Sequence, residues 1–349
     1  MVAPIRTTTN WQDGYDAIID VRSPSEFADD HIPGAVNLPV LSDAERAEVG
    51  TIYKQVSPFE ARKLGARLAA ENIARHLNEG LADHPPGWTP LIYCWRGGQR
   101  SGSMARILAE IGWVVSVLDG GYKSYRQAVI DAIAPLAEAI RPVLLQGPTG
   151  SAKTCILRAA VSQGVQIIDL EDLAAHRGSL LGAEPDRQQP SQRLFESMLM
   201  QALQRIDPTR PVLIEAESSR IGNCHLPKGL WRKMINAPQI MIDAPVTARV
   251  DFLIRSYPHI CADPGLLDKL INGMTRRHGH VICDGWRQLA DSKDWEKLVT
   301  ALINEHYDPA YAASGERRDG DIIERLKAEH LNDDDFERLA RQIASLLQK

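Results

Sequence analysis

The chain has 349 residues, of which 44% are hydrophobic and 24% are charged, with a formal net charge of −5 at pH 7. This composition is ordinary for a globular protein and argues against a disordered chain, and the length is sufficient for two domains. The slight excess of acidic residues argues against a general nucleic-acid coat protein. It does not argue against a local basic groove on the surface. No apolar run approaches the roughly 20 residues that span a bilayer, so we expect no membrane segment.

The location of the protein is predicted from its first residues and its cysteines. Met1-Val2-Ala3-Pro4-Ile5-Arg6 lacks the apolar core of a secretory signal. The five cysteines, at positions 94, 155, 224, 261 and 283, have the spacing of neither a disulfide framework nor a zinc site. We therefore expect a cytoplasmic protein.

Two apolar runs predict strands in the N-terminal third. Ile18-Ile19-Asp20-Val21-Arg22 predicts a buried strand, which leads into Ser23-Pro24-Ser25-Glu26-Phe27 and His31-Ile32-Pro33-Gly34-Ala35-Val36-Asn37-Leu38-Pro39. Leu91-Ile92-Tyr93 predicts a second strand, which ends at Cys94.

The residues after Cys94 predict a reactive thiol. They read Trp95-Arg96-Gly97-Gly98-Gln99-Arg100-Ser101, a glycine-rich loop that leads into a helix starting near Arg100 and Ser101. Successive backbone N–H groups around the sulfur form an anion nest, and the positive end of the helix faces the same point. Such surroundings lower a thiol pKa from about 8.5 to roughly 3.5–7.5, so we expect Cys94 to be a nucleophile at neutral pH.

These segments together resemble a rhodanese domain, a fold that carries sulfur as a cysteine persulfide. The resemblance rests on Asp-Val-Arg at 20–22, Glu26-Phe27, the run from His31 to Pro39 and the Cys94 loop. Arg100 lies six positions after Cys94, whereas many small sulfurtransferases place this arginine at the fifth position. The longer loop fits the Cys-x5-Arg spacing of cysteine phosphatases and arsenate reductases. Phosphate, thiosulfate and selenophosphate share a tetrahedral shape, so loop length alone does not choose among them.

The end of the first domain is predicted after a helix. Val114-Val115-Ser116-Val117-Leu118 predicts a strand, and Gly120-Gly121-Tyr122-Lys123 predicts a turn into a helix that runs through Ala137. Arg141-Pro142 breaks the helical pattern before the next strand. We therefore predict an α/β protein with a rhodanese-like domain at 1–135, followed at 136–349 by a P-loop NTPase-like parallel-sheet domain with a C-terminal helical region.

The second domain opens with a phosphate-binding pattern. Val143-Leu144-Leu145-Gln146 predicts a strand, Gly147-Pro148-Thr149-Gly150-Ser151-Ala152-Lys153-Thr154 a P-loop, and Cys155-Ile156-Leu157-Arg158 the start of a helix. Backbone N–H groups and Lys153 would surround phosphate oxygens, and the Thr154 hydroxyl is a candidate ligand for Mg²⁺. Ala152 stands where a glycine normally precedes the lysine. The residues predicted to bind the diphosphate are Gly147, Thr149, Gly150, Ser151, Ala152, Lys153 and Thr154.

Three further strands end in a carboxylate that could serve the metal, at Asp169, Glu215 and Asp243. No Asn-Lys-x-Asp signature for guanine is present, and nothing selects adenine. The sequence therefore indicates a diphosphate site more clearly than a nucleotide site.

Polar segments follow these strands, at the carboxyl edge where ligands bind in α/β sheets. They predict substrate-facing loops that carry His176, Arg177, Arg193, Glu215 and Arg220, with the four cationic side chains converging on an anionic substrate. Candidate contacts to the phosphates of a nucleic acid are Lys228, Arg232, Lys233, Arg276 and Arg277, with His278 and His280 nearby. At the C-terminus, the helical spacing of Phe336, Leu339, Ile343 and Leu347 predicts core packing.

The whole chain resembles the tRNA 2-selenouridine synthase family. The resemblance rests on the two loops and on five further stretches, which are Gly50–Gln55 with Ser57–Lys63, His176-Arg177-Gly178-Ser179, Gln189-Pro190-Ser191-Gln192, Glu215-Ala216-Glu217-Ser218 with Arg220-Ile221-Gly222, and His306-Tyr307-Asp308-Pro309-Ala310-Tyr311. It implies replacement of sulfur by selenium in 2-thiouridine at the wobble position of tRNA, with selenophosphate as donor. It also implies transfer of a geranyl group from geranyl diphosphate to the thiouridine sulfur, and selenium then displaces that S-geranyl group.

The resemblance also implies roles for the two loops. Cys94, Arg100 and Arg96 would be catalytic, and Gly97, Gly98, Gln99 and Ser101 would bind selenophosphate. Selenium would rest on Cys94 as a perselenide or related adduct, or the thiolate would assist direct attack by selenophosphate. The P-loop would hold the diphosphate leaving group, and Mg²⁺ is the only cofactor for which we see a candidate site. The alternatives are an ATP-dependent kinase or sulfurtransferase with a rhodanese sulfur-carrier domain, and a non-catalytic tRNA-binding module.

Overall fold

The computed structural model describes residues 3–177, 182, 186–315 and 319–348. The chain forms two compact units. Unit 1 comprises Met1–Ile133 and Pro190–Gln201, and unit 2 comprises Ala134–Gln189 and Ala202–Lys349. Residues 190–201 thus belong to unit 1 although they follow the P-loop in the chain, which no local pattern in the sequence indicated.

Unit 1 is built on a five-stranded sheet in which all neighbouring strands are parallel, in the order β1-β5-β4-β2-β3. Its strands are β1 (Arg6–Thr8), β2 (Ala17–Asp20), β3 (Val36–Asn37), β4 (Pro90–Tyr93) and β5 (Ser116–Leu118). The central strand β4 is buried at every position, as expected for a parallel strand covered on both faces. Asp20 on β2 lies beside Tyr93 on β4, so both strands end at the same edge as Cys94.

Five helices of unit 1 connect these strands, and part of a later helix joins them. They are α1 (Pro24–Asp29), α2 (Asp43–Gln55), α3 (Pro58–Asn78), α4 (Gln99–Ile111) and α5 (Gly121–Ala139). Helix α4 ends at Gly112, whose φ of 106° is the left-handed C-cap that favours glycine. Helix α5 continues to Ala139, two residues beyond its predicted end, with Pro135 inside it.

Unit 2 is built on a second five-stranded parallel sheet, in the order β12-β11-β6-β8-β7. Its strands are β6 (Arg141–Gln146), β7 (Gln166–Ile168), β8 (Pro211–Glu215), β11 (Gln239–Asp243) and β12 (Ile322–Lys327), and β9 (Arg220–Ile221) and β10 (Cys224–His225) form a separate antiparallel pair. Because β6 is the central strand, the loop that follows Gln146 lies at the middle of the carboxyl edge of the sheet. The predicted α/β fold with parallel sheets is therefore confirmed in both units.

The helices after β6 are α6 (Lys153–Val161), α7 (Leu170–Ala174), α8 (Gln192–Gln204), α9 (Lys228–Ile235), α10 (Val246–Ser256), α11 (Pro258–Ala262), α12 (Pro264–His278), α13 (His280–Asp291), α14 (Trp295–Leu302), α15 (Asp308–Gly315) and α16 (Asp333–Leu347). A π-helical turn, Ile303–Tyr307, joins α14 to α15. Residues 246–315 thus form a helical region between β11 and β12.

The C-terminal helix packs into the core of unit 2. Leu339 and Ile343 of α16 are fully buried in one cluster with Ile156 of α6, and Phe336 and Leu347 pack against it. The predicted core role of these four apolar residues is confirmed. Within the described residues, no helix is both long and apolar enough to cross a membrane.

Candidate active sites

The Cys94 loop follows β4, and its sulfur is held by polar groups. The N–H of Gly98 donates to Cys94 Sγ at 3.3 Å, and Ser101 Oγ lies 3.3 Å from the same sulfur. Gly98 is also the N-cap of α4, so the helix begins directly at the thiol. Cys94 is only 3% exposed and belongs to the buried core cluster of unit 1, but its sulfur also contacts the Gly98 N–H and the Ser101 hydroxyl.

These contacts shift the ionisation of Cys94 in the predicted direction. Burial by itself raises the pKa of the thiol, but hydrogen bonds from the Ser101 hydroxyl and from the backbone of Ser101, Arg96 and Gly98 outweigh it. The pKa of Cys94 therefore lies below its ordinary value, because each of these donors stabilises the thiolate. Burial raises the pKa of the other thiols for which a shift is resolved, those of Cys155, Cys224 and Cys261.

The backbone around the thiol is packed too closely for side chains at two glycines. Gly97 has a φ of +66°, and a Cβ there would lie 2.8 Å from the carbonyl oxygen of Leu118. Gly121 has a φ of +58°, and a Cβ there would collide with the carbonyl oxygen of Cys94. The same oxygen accepts a hydrogen bond from the N–H of Tyr122 at 2.8 Å. The first turn of α5 thus fixes the loop from behind.

The arginine predicted to bind the donor oxyanion is held by a carboxylate. Arg100 donates to Glu26 at 2.7 Å, and Glu26 also pairs with Arg46 at 3.0 Å. Burial by itself raises the pKa of Glu26, but the two arginines lower it by more than burial raises it. The pKa of this carboxyl is therefore below its ordinary value. Arg96 and Gln99 are exposed. Sequence reasoning quoted Glu26 as part of a motif and gave it no role in the site.

Behind the loop lies a buried polar network. Asp30, which is fully buried, accepts hydrogen bonds at 2.8 Å from Tyr122 Oη and from Ser197 Oγ. The Arg22 guanidinium lies 4.0 Å from the centre of the Tyr122 ring and is paired with Asp20 at 2.6 Å. Burial raises the pKa of Asp30. The network ties residues 190–201 to the elements that hold Cys94.

Arg193 belongs to this part of the structure. It lies on the portion of α8 assigned to unit 1 and pairs with Asp29 at 2.8 Å. His176, Arg177 and Arg220 belong to unit 2. The expected convergence of the four side chains therefore stays a prediction.

The second loop, Gly147–Thr154, joins β6 to α6 as predicted. Lys153 Nζ donates to the carbonyl oxygen of Gly147 at 2.8 Å, which folds the side chain back over the loop. Gly150 has a φ of +82°, and a Cβ there would lie 2.9 Å from the side chain of Leu253. The loop is thus closed around its own lysine and leaves little room at Gly150.

Ala152 adopts the conformation that a glycine would favour. Its φ of 56° and ψ of 30° are left-handed, and it is the N-cap of α6. A left-handed conformation costs an L-residue roughly 1–2 kcal/mol. The Ala152 side chain is packed in the core of unit 2, so packing offsets part of that strain.

A half-buried and a fully buried carboxylate, those of Glu171 and Glu215, stand beside the last residue of the loop. Thr154 Oγ1 donates to Glu171 at 2.7 Å, and the backbone N–H of Glu171 donates to Glu215 at 3.4 Å. Burial, with the negative charge of Glu217, raises the pKa of Glu171 to about 7. Burial and the neighbouring Glu171 raise the pKa of Glu215 well above its ordinary value. Two carboxylates this close cannot both ionise easily.

These oxygens suit Mg²⁺, which prefers carboxylate, hydroxyl and phosphate ligands. Glu215 Oε1 is buried and has no hydrogen-bond partner among the described residues. No group of three His, Cys, Asp or Glu ligands occurs in the described part of the chain, so phosphate and water would complete the coordination. Of the other two predicted metal carboxylates, Asp169 pairs with Arg158 at 2.7 Å, and Asp243 is exposed at the end of β11.

A cavity of about 680 Å³ opens beside the loop in unit 2. All seven residues predicted to bind the diphosphate line this cavity. Other charged residues also line it, namely Arg158, Arg177, Arg187, Glu171 and Glu217. Arg177 donates to the carbonyl oxygen of Ser256 at 3.1 Å and lies 4.8 Å from the centre of the Tyr257 ring. The polar part of the cavity therefore carries both cations and carboxylates, and Arg187 pairs with Asp172, which also lines it, at 2.6 Å.

Three of the predicted substrate residues in unit 2 do not line this cavity. Glu215 is buried behind it, Arg220 donates to the carbonyl oxygen of Gly222 at 2.7 Å, and His176 is half-buried next to Arg177 in the chain. Gly178 and Ser179, quoted for the family resemblance, lie outside the described residues.

Of the proposed tRNA contacts, Lys228, Arg232, Arg276, Arg277 and His280 are exposed on helices of unit 2, whereas Lys233 and His278 are half-buried.

Sequence reasoning missed one buried arginine. Arg249, which is 3% exposed, donates from Nε to the carbonyl oxygen of Thr149 at 2.9 Å and pairs with Asp308 through both Nη atoms at 3.0 and 2.6 Å. It therefore connects the phosphate-binding loop to the π-helical turn and α15. The only signal in the sequence was the stretch His306–Tyr311, which contains Asp308 and was quoted for its resemblance alone.

The fold and the loops define a class of protein, in which a rhodanese-like unit with an activated cysteine precedes a P-loop unit with a phosphate-type cavity. The family model "Rhodanese-like domain" matches residues 7–128, and the model "tRNA 2-selenouridine synthase AAA domain" matches residues 140–264. The chain belongs to the tRNA 2-selenouridine synthase family, since relatives that carry this name align with most of its length.

Three such relatives illustrate the match. A tRNA 2-selenouridine synthase of Hahella chejuensis is 33% identical, and the alignment covers 86% of each chain. That of Salmonella schwarzengrund is 34% identical over 88% of this chain and 92% of the relative. That of Nitrosomonas europaea is 37% identical over 69% of this chain and 63% of the relative. The resemblance stated from the motifs is therefore confirmed at the level of the family.

Proposed function

We propose that this chain replaces sulfur by selenium in 2-thiouridine at the wobble position of tRNA, with selenophosphate as donor and an S-geranylated base as intermediate. The observation that carries the proposal is the presence of two anion sites of different chemistry in one chain. One holds a thiol of lowered pKa among N–H and hydroxyl donors, and the other is a lysine-bearing cavity. The relatives' name supplies the tRNA substrate.

In the first step, the thiouridine sulfur attacks carbon 1 of geranyl diphosphate. A sulfur–carbon bond forms, the carbon–oxygen bond breaks, diphosphate leaves and the base loses its N3 proton. The loop N–H groups, Lys153 and Arg158 would neutralise the charge that develops on the leaving group. No nucleotide is hydrolysed in this step, which agrees with the absence of a guanine or adenine signature.

In the second step, the selenium of selenophosphate attacks carbon 2 of the alkylated base. The carbon–sulfur bond breaks and geranyl thiolate leaves, and water then cleaves the phosphorus–selenium bond and releases phosphate. This route involves no net oxidation, whereas a perselenide on Cys94 would need an oxidant. We therefore assign the Cys94 loop to binding selenophosphate through Gly98, Ser101 and Arg100, with the thiolate assisting the attack.

The test is mass spectrometry of tRNA nucleosides after incubation with both donors. Cys94→Ala should abolish 2-selenouridine and leave S-geranyl-2-thiouridine largely intact, whereas Lys153→Ala should impair geranylation first. Cys261→Ala and Lys297→Ala serve as matched controls, since Cys261 has a raised thiol pKa and Lys297 is an exposed lysine on α14. Equal loss of both products in Cys94→Ala would contradict this division of labour.

One observation favours the rival ATP-dependent reaction. The Thr154–Glu171 pair beside the P-loop is an arrangement that can serve a magnesium–nucleotide complex as well as a magnesium–diphosphate complex. Magnesium-dependent release of phosphate from ATP that is lost in Lys153→Ala would support that rival. We expect no such release.

A further inference from the structure

One carboxylate oxygen beside the Cys94 loop holds two arginines, of which sequence reasoning assigned only Arg100. Arg100 donates to Glu26 Oε2 at 2.7 Å, and Arg46 Nε lies 3.0 Å from the same oxygen. The backbone N–H and the hydroxyl of Ser23 also donate to Oε2, each at 3.3 Å. Because nitrogens of both arginines lie within 3.0 Å of one atom, the two guanidinium groups are neighbours.

The two arginines come from different helices. Arg100 is the second residue of α4, whose N-cap Gly98 donates its N–H to the Cys94 sulfur. Arg46 lies on α2, far from the loop in the chain. Glu26 of α1 is therefore the group that brings an arginine of α2 to the start of the helix at the thiol.

Glu26 carries one negative charge against these two positive charges. Its other oxygen, Oε1, is buried and has no hydrogen-bond partner among the described residues. Burial opposes ionisation of Glu26, but Arg100, Arg46 and Ser23 outweigh it, so its pKa is lowered and the carboxylate is ionised at neutral pH. Without Arg46, the charge of Arg100 would be cancelled by Glu26. With Arg46, one positive charge is left over.

This remaining charge matters because the thiolate of Cys94 is itself negative. An oxyanion with two negative charges would be repelled by the thiolate if Arg100, already neutralised by Glu26, were the cation that faced it. Arg96 of the loop is exposed, whereas Arg46 is held by its ion pair. The contact to Glu26 uses only Nε of Arg46, and 50% of the Arg46 side chain is exposed, so other donors of its guanidinium are open to a ligand.

We propose that Arg46 is a second oxyanion-binding residue of the Cys94 site, and that Glu26 is the positioning residue that holds Arg46 and Arg100 side by side for a tetrahedral anion with two negative charges. This inference rests on the proposed function, which assigns selenophosphate to the Cys94 loop. Each guanidinium then spends one nitrogen on Glu26 and offers its remaining donors to oxygens of the anion, while the selenium is free to react.

A purely structural role for Arg46, as a tie between α1 and α2, leads to a different expectation. Ser25 of α1 already bonds Asp43 of α2, through its N–H at 3.1 Å and its hydroxyl at 2.5 Å. Hydrogen bonds from Ser25 and the nearby charge of Arg46 lower the pKa of Asp43. Asp43→Ala therefore loosens the tie between the two helices and removes a negative charge near Arg46, while the cation itself stays.

Calorimetric titration of the full-length protein with monothiophosphate, which differs from selenophosphate only in the chalcogen, tests the inference. Arg46→Ala should raise Kd roughly 10-fold or more, because a hydrogen bond between charged groups is lost. Arg62→Ala removes an exposed arginine of α3 and should keep Kd within about 2-fold. Asp43→Ala should bind the anion at least as tightly as wild type. Equal weakening by Arg46→Ala and Asp43→Ala would overturn the inference and leave a structural tie.

Steady-state kinetics of 2-selenouridine formation supply a second readout. Arg46→Ala should raise the KM for selenophosphate by the same factor as Kd and leave kcat within about 2-fold, as expected for loss of a binding contact. The pH midpoint of Cys94 alkylation should stay in place, which would show an intact loop. Weakening of monothiophosphate by Arg100→Ala but not by Arg46→Ala would overturn this inference alone. Failure of the wild-type protein to bind monothiophosphate would overturn the proposed donor site and the inference with it.

Discussion

The hydrogen bond from Ser101 to Cys94 gives a prediction that can be worked out in numbers. Ser101→Ala removes the Oγ that lies 3.3 Å from the sulfur. Of the contacts that lower the pKa of Cys94, this hydrogen bond has the largest effect. A hydrogen bond to a charged group contributes about 1.5–3 kcal/mol, and one pKa unit corresponds to about 1.4 kcal/mol. The N–H of Gly98 remains in place, so we expect the lower end of this range, a rise of about one pKa unit.

The assay is the pH dependence of alkylation at Cys94 by a small reagent, followed by peptide mass spectrometry. Because burial raises the pKa of Cys155, Cys224 and Cys261, Cys94 should react at lower pH than these three thiols. In Ser101→Ala the midpoint for Cys94 should move up by about one unit while the rate above the midpoint is retained, since the thiolate itself is unchanged.

Ser103→Ala is the matched control for this experiment. Ser103 lies on the same helix, but its hydroxyl donates to the carbonyl oxygen of Arg100 at 2.8 Å and does not take part in the hydrogen bonds to the sulfur. Its removal should leave the Cys94 midpoint in place. Equal midpoints in the two variants would refute the reasoning and assign the lowered pKa to the backbone donors alone.

Three further predictions concern the buried groups. Asp30→Ala should lower the free energy of unfolding by about 3 kcal/mol in denaturant titrations, because Tyr122 and Ser197 lose their shared acceptor, and the exposed Asp29→Ala should change it far less. Ala152→Gly should change it by less than about 1 kcal/mol, because relief of left-handed strain is offset by the lost methyl contact. Without Mg²⁺, diphosphate binding measured by calorimetry should strengthen as pH falls through about 7, where Glu171 becomes neutral, and Glu171→Gln should lose that component.

The parts of the site that could be predicted are those written in consecutive residues. The Cys94 loop and the P-loop each combine a strand, glycines and a helix start in one short run, so backbone geometry follows from local sequence. The lowered pKa of Cys94 follows for the same reason, since its donors at 96, 98 and 101 belong to the loop itself. At Ala152 the sequence already shows that the usual glycine is missing. The structure explains why glycine is preferred there, because the residue has a left-handed φ.

The parts that could not be predicted depend on partners far apart in the chain. Arg193 pairs with Asp29 and Ser197 with Asp30, across more than 160 positions in both cases. Arg249 meets Asp308 across 59 positions. Spacing and periodicity carry no information about such pairs, so sequence reasoning did not foresee the pair of Arg193 with Asp29 and overlooked Arg249. Glu171 was overlooked for a different reason, because its raised pKa arises from burial that only the folded chain shows.

On the proposed function, the two loops should respond to acid in opposite ways, because they would stabilise different anions. The Cys94 loop stabilises a charge on the protein, so the selenium step should be lost when acid protonates the thiolate. The P-loop would stabilise a charge on the ligand, and the negative charge of the neighbouring Glu171 should oppose that ligand above about pH 7. A divalent cation between Thr154 and the diphosphate would remove that opposition by pairing with Glu171, and the alkylation step would then no longer require a protonated carboxyl. Magnesium should therefore broaden the pH range of the proposed geranylation toward alkaline values, which also favour the thiolate of Cys94, so that both proposed steps could proceed under one set of conditions.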